Sequence, residues 1–188
     1  MATSQQLIPL AADALSRTVH QVPADAWDNG TPCAGWCVRE VLNHLAGEQL
    51  WVPPLLAGQT LEQVGDAFDG DVLGDDPVAS WDDAIGAAVA AWRETDPDLA
   101  VHLSVGPTPA SEYANQMLMD LVVHDWDLAR GAGLDDTLDP VLVEAVLGYV
   151  NEHEQLIGQW PSLFADPVPV GDDARPQTVL LAKLGRRR

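Results

Sequence analysis

The chain has 188 residues, 47% of them apolar and seven of them tryptophan, which excludes a disordered chain and fits one domain that buries its own core. Twenty-nine acids against nine bases give a net charge of -20, a surface that repels nucleic acid and anionic membrane alike. The opening MATSQQLIPLAADALSRTVHQ has no basic segment and no unbroken apolar core, so it does not read as a signal peptide. No run approaches the ~20 apolar residues of a membrane span.

Leu7, Ala11, Leu15 and Val19 keep a helical period, and Pro9 predicts that the regular helix begins near residue 8. Residues 22–35 read as a loop holding Pro23, Asn29-Gly30, Pro32 and Gly35. Cys33 and Cys37 make C-x3-C rather than C-x-x-C, and no second pair completes a zinc ribbon, so a reduced, cytoplasmic protein is expected. A second helix starts at about Cys37 and buries Val38, Val41, Leu42, Leu45 and Val52. Pro53-Pro54 is expected to stop or kink it.

Residues 58–76 are acidic and Gly-rich, a surface connection with no clear period. Asp76-Pro77 supplies an N-cap and a proline at the first helical position, opening a third helix with Val78, Trp81, Ile85, Val89 and Trp92 that Asp96-Pro97-Asp98 ends. Val101 to Val105 reads as one short strand or an extended stretch. A fourth helix runs from about Ala110 to Arg130 and closes at Gly131 or Gly133. Asp139-Pro140 opens a fifth, expected to reach about Trp160, and Val179 to Ala182 form a last short helical pattern. The terminal Arg186, Arg187 and Arg188 read as a solvated tail end. Four or five amphipathic helices on one core, with no internal repeat, predict an all-α four-helix bundle with an additional helix and an extended C-terminal tail, in a single domain spanning 1–188.

The chemistry is concentrated in MDLVVHDWDLARG. At 100° per residue, Tyr113, Met117, Asp120, His124 and Leu128 share one narrow stripe among apolar neighbours. A carboxylate there costs several kcal/mol unless a cation or hydrogen bonds satisfy it. Asp120 and His124, one turn apart, can converge on one metal ion. His44, in WCVREVLNHLAGE, borders the buried face of the second helix and is a third candidate ligand. Two nitrogens and one oxygen suit zinc, nickel or iron. The competing reading is a structural one, in which Asp120 accepts a hydrogen bond from His44 or a hydroxyl and orders the core.

Other residues carry paired readings. Glu48, four after His44, is an acceptor or general base beside the metal, against an ordinary surface acid. Arg130 is a contact for an anionic cofactor or substrate, against a cation facing the helix C-terminus. Trp36 and Trp126 read as packing, and Cys33 as a small buried side chain with no base evident in sequence. Cys37 is a remote fourth ligand, and His102 and His153 look peripheral.

TPCAGWCVREVLNHLAGE, then LVVHDWDLARGAG, then FADPVPVGDDARPQTVLLAKLG resemble, in order and over almost the whole chain, the DinB-like metal-binding four-helix-bundle superfamily. The resemblance is to its actinobacterial branch, which includes the N-terminal domain of mycothiol-dependent maleylpyruvate isomerase. It implies a divalent metal held by a histidine late in the second helix and by two residues four apart on a later helix, here His44, Asp120 and His124. Two departures stand out. The isomerase has glutamate where this chain has Asp120, so the metal must sit closer to the helix. The isomerase also has a separate C-terminal domain that contributes to substrate binding, and this chain ends at 188. The resemblance therefore implies a metal site and thiol chemistry rather than the maleylpyruvate reaction itself.

The expected function is that of a metal-dependent thiol S-transferase or isomerase, using a low-molecular-weight thiol such as mycothiol and an electrophilic substrate. A non-catalytic metal-binding or stress-associated accessory protein needs the same ligands. A metal-free scaffold or homodimer, in which Asp120 and His124 only order the core, is the third class.

Overall fold

Thr3 opens the first helix with a capping box: its hydroxyl accepts from Gln6 N, and the Gln6 side chain accepts from Thr3 N. Such a cap is worth about 1 kcal/mol. It starts α1 at Ser4, earlier than Pro9 suggests, and α1 runs over Ser4–Val19 with Pro9 inside it. The cap offsets part of what the proline takes from the second turn. The computed structural model describes residues 2–154 and 165–187.

α2 covers Val38–Leu56 and carries Pro53 and Pro54 through its last turn instead of stopping there. In the acidic connection a second Thr-Gln capping box, Thr60 with Gln63, nucleates a one-turn helix, α3, at Leu61–Val64, where no periodicity announced one. Asp76 caps α4, Pro77–Glu94, with Pro77 at the first position, as its sequence dictates. The stretch after α4 is a hairpin rather than one strand. β1, Ala100–Leu103, pairs antiparallel with β2, Gly106–Pro109, in the register Ala100 with Pro109 and Leu103 with Gly106. α5, Ala110–Ala132, ends at Gly133 in the left-handed conformation, which only glycine adopts without strain. Gly131 matters for a different reason. A Cβ there would lie 2.7 Å from the Thr31 side chain and 2.8 Å from Val38, so its absence lets α5 seat against the start of α2. α6 covers Pro140–Glu152; the expected end near Trp160 lies outside the described residues. α7 covers Pro176–Lys183.

α1, α2, α4 and α5 form the four-helix bundle, with α1 against α5 and α4, and α2 against α4 and α5. α6 lies along α5 and α1, and α7 lies on α6, so the tail returns to the bundle. Trp81, Trp92 and Trp126 with Ile8, Leu15, Leu42, Leu45, Leu121 and Leu128 fill the centre. Each fully buried side chain of this size contributes about 1.5–3 kcal/mol. Among the described residues no helix is long and apolar enough to cross a membrane. The thiols of Cys33 and Cys37 are free.

Candidate metal centre

α2 and α5 pass each other at the level of His44 and Asp120, and three donor atoms meet there. Nε2 of His44 lies 3.3 Å from Oδ1 of Asp120, and Nε2 of His124 lies 3.4 Å from the same oxygen. The ligand atoms of His44, Asp120 and His124 all fall within 4.8 Å of one another. N–H···O hydrogen bonds run to about 3.2 Å, so the His44 contact is a long hydrogen bond and the His124 contact longer still. Four ligands at about 2.05 Å from a tetrahedral ion stand about 3.3 Å apart, which is the spacing seen along the two measured edges. Oδ2 of Asp120 is buried and has no hydrogen-bond partner. An orphaned carboxylate oxygen is costly and calls for a cation. The residues present therefore fit a divalent metal with open coordination positions.

The same residues are coupled electrostatically in the absence of an ion. Burial would push the Asp120 carboxyl up, but the charges of His124 and His44 and the His44 hydrogen bond outweigh it and hold the group below the usual carboxylate range. Burial pulls His44 down, but Asp120 by charge and hydrogen bond, and then Glu48, raise it above an ordinary histidine. Without metal, the cluster attracts protons to His44.

A second trio, Cys33, His124 and Asp127, also brings its ligand atoms within 4.8 Å. Asp127 is 0% exposed; its Oδ2 takes a 2.9 Å hydrogen bond from Nδ1 of His124 and a 2.8 Å ion pair from Arg186. A guanidinium already neutralises that carboxylate, so this trio is not a place for a second cation. Burial is outweighed by the His124 hydrogen bond and the Arg186 charge, and Asp127 stays below the usual carboxylate range. Sequence reading did not pick out Asp127, although its i, i+3 spacing from His124 on an apolar face is the kind of signal that marks Asp120. The expectation that Arg186 belongs to a solvated tail is corrected: the turn after α7 carries it back onto α5.

Glu48 has charge contacts with Asp120, His44 and His124; burial first, then the Asp120 charge, push its carboxyl up. Trp36 is not simple packing. Its ring lies 5.1 Å from that of His44 and 6.2 Å, nearly parallel, from that of His124, whereas the two imidazoles meet edge to face at 5.2 Å. Trp36, Arg39, Glu40, Asn43, His44 and Asp71 line an open cavity of about 490 Å³, which meets the donor cluster at His44. Cys33 is half-buried next to His124 and Asp127, with its thiol pushed up by burial and by the Asp127 charge, so a base is close in space though none is close in sequence. Arg130, 44% exposed, pairs with Asp136 at 3.2 Å and lies 5.7 Å above the Trp126 ring, and it lines neither the donor cluster nor this cavity. Cys37 is the N-cap of α2, its N–H donating to Glu40 at 2.8 Å, and belongs to neither trio. The His153 ring lies tilted against that of Tyr149, centroids 4.3 Å apart, and His153 belongs to neither trio.

A profile of the mycothiol maleylpyruvate isomerase N-terminal domain matches residues 8–129, a span that holds His44, Asp120, His124 and Asp127. An uncharacterized protein of Mycobacterium tuberculosis, found in two strains, is 29% identical over 184 residues, covering 94% of this chain and 93% of its own length. Among solved structures, the mycothiol-dependent maleylpyruvate isomerase aligns with a TM-score of 0.62 at 17% identity, over 84% of this chain and 75% of that one. A mutant of that enzyme gives 0.64 at 18%, over 89% and 77%. At these identities the structural likeness concerns the fold.

Proposed function

The chain belongs to the mycothiol maleylpyruvate isomerase N-terminal domain family, and from that premise we propose that it is a metal-dependent enzyme of thiol chemistry, an S-transferase or isomerase. The observation that carries this is the convergence of two imidazole Nε2 atoms on one Asp120 oxygen at 3.3 and 3.4 Å, with His44 also lining an open cavity. His44, Asp120 and His124 are the ligands. A divalent cation held there would act as a Lewis acid and favour the ionised form of a thiol. Asp127 holds the His124 ring, and Trp36 packs against both imidazoles and forms part of the cavity wall. Glu48, its carboxyl raised toward neutrality, takes up or returns the proton that a thiol gives up. The cavity takes the remainder of the thiol or its electrophilic partner. A closed, dry cluster would favour a non-catalytic metal-binding protein; the cavity beside His44 supports the enzyme.

The test uses cobalt-substituted protein. Addition of mycothiol is expected to produce a sulfur-to-metal charge-transfer band, followed by consumption of an electrophilic probe that depends on both metal and thiol. Metal that stays inert to mycothiol, glutathione and cysteine alike would overturn the catalytic reading and leave the non-catalytic one.

A further inference from the structure

Arg186 stands 59 residues after Asp127 and lies beyond the last helix, yet its side chain is only 10% exposed. Its Nη2 is 2.8 Å from Oδ2 of Asp127 and its Nε 3.4 Å from Oδ1. The turn that delivers it is built for the purpose. Arg186 N donates to Leu181 O at 2.8 Å, and Nη1 donates to Leu184 O at 3.1 Å. Gly185 has φ +80°, and a Cβ there would come within 2.8 Å of the Ala165 carbonyl oxygen, so no other residue fits. The profile match ends at residue 129, so this turn lies outside the matched domain.

We infer that Arg186 is a positioning residue of the metal centre, acting through Asp127 to set the tautomer and orientation of His124. The inference rests on the metal-binding reading above. The guanidinium only donates, so the Asp127 carboxylate beside it stays an acceptor. An acceptor 2.9 Å from Nδ1 requires that Nδ1 carry the hydrogen. In the neutral ring, the form that binds a metal, the Nε2 lone pair is then bare and faces Asp120 and His44, as ligation demands. Without Arg186, a fully buried carboxylate would lose its counter-charge, and the ring would lose the partner that selects its tautomer. The C-terminal turn is thereby part of the centre, although no residue of it is a ligand.

The experiment compares the full chain with Arg186→Gln, Arg186→Lys, Asp127→Asn, the Arg186→Gln/Asp127→Asn double variant, and Arg187→Gln, a neighbouring charge loss on an exposed residue. Cobalt affinity is measured by competition with a chromophoric chelator, and the ligand-field spectrum is recorded. In metal-free protein, long-range nitrogen-15 spectra read the His124 tautomer. Arg186→Gln and Asp127→Asn should each weaken cobalt binding ~10–100-fold and alter the spectrum. The double variant should be no worse than the poorer single one. Arg186→Lys should recover part of the loss, and Arg187→Gln should bind cobalt as the wild type does. With the ring deprotonated at alkaline pH, the metal-free wild type should show the Nδ1–H tautomer and Arg186→Gln a mixture. Affinity within threefold of wild type in Arg186→Gln, additive losses, or an equal loss in Arg187→Gln would overturn the inference. If Arg186→Gln does not fold, Arg186→Lys and Asp127→Asn decide by the same criteria. If the wild type binds no cobalt, the metal reading fails, and the tautomer spectra still test the Arg186–Asp127–His124 relay.

Discussion

Nε2 of His44 and Oδ1 of Asp120 stand 3.3 Å apart although 76 residues separate them in the chain. This contact ties α2 to α5 at the half-buried Asp120 carboxylate, and His124 approaches the same oxygen from one turn further along α5. Two imidazoles approach one carboxylate oxygen, and the companion oxygen has no partner, a donor set that a cation would complete.

Protein prepared without chelator is expected to hold close to one divalent ion per chain. His44→Ala and His124→Ala should each lose most of it, because each removes one of three ligands, while circular dichroism stays helical on the strength of the core. Elemental analysis checks this. Full occupancy in both variants would remove the assignment.

Stability should depend on pH in opposite ways with and without metal. His44 is raised above the ordinary histidine value by Asp120, so its protonated form stabilises the metal-free fold. That contribution is complete below the unfolded value of about 6.5 and is lost as pH rises through the higher folded one. Metal needs the neutral ring. The gain in Tm on adding zinc should therefore grow steadily between pH 5.5 and 8, as scanning calorimetry would record. A gain independent of pH over that interval would mean that the histidines do not ligate.

Asp125 gives a prediction remote from the donors. Burial raises its carboxyl to about 6, against the Thr18 hydrogen bond at 2.6 Å and the Arg17 charge. The folded state thus prefers the neutral acid, and stability is lost as pH rises from about 4 through about 6. Asn keeps an acceptor for the Thr18 hydroxyl without the charge. Asp125→Asn should stabilise at pH 7 by about 1–2 kcal/mol, a figure reduced from the full shift because the side chain is partly exposed, and by nothing measurable at pH 4. Urea melts at both pH values would show it; an equal effect at the two would sink the explanation.

Glu48 separates proton handling from metal binding. Glu48→Gln removes the ionisable group but not a ligand, so metal content should match wild type while thiol transfer slows by ~10²-fold. Unchanged turnover with metal fully bound would assign Glu48 no part in the chemistry.

The helices and half of the centre are legible in the amino-acid sequence. Asp76-Pro77 and Asp139-Pro140 start α4 and α6 where they should, and Gly133 ends α5, because capping is settled within four residues of chain. The Asp120–His124 pair is legible for the same reason: the helical repeat alone places i and i+4 on one face. Pro9 misleads because a proline penalises its own turn, while Thr3 and Gln6 have already nucleated the helix ahead of it. The remainder depends on packing. Whether His44 at the edge of α2 points at Asp120 follows from how two helices cross, and the seating allowed by Gly131 is one determinant of that crossing. Trp36 reaches the imidazoles by the fold of its loop, not by period. Arg186 meets Asp127 only because α7 docks on α6 and a glycine turn aims it inward, and three arginines at a chain end carry no local trace of a partner 59 residues away. Caps and faces are local and periodic, so a sequence displays them. A contact across helices is set by packing of the whole core, and that information is held by no single stretch of chain.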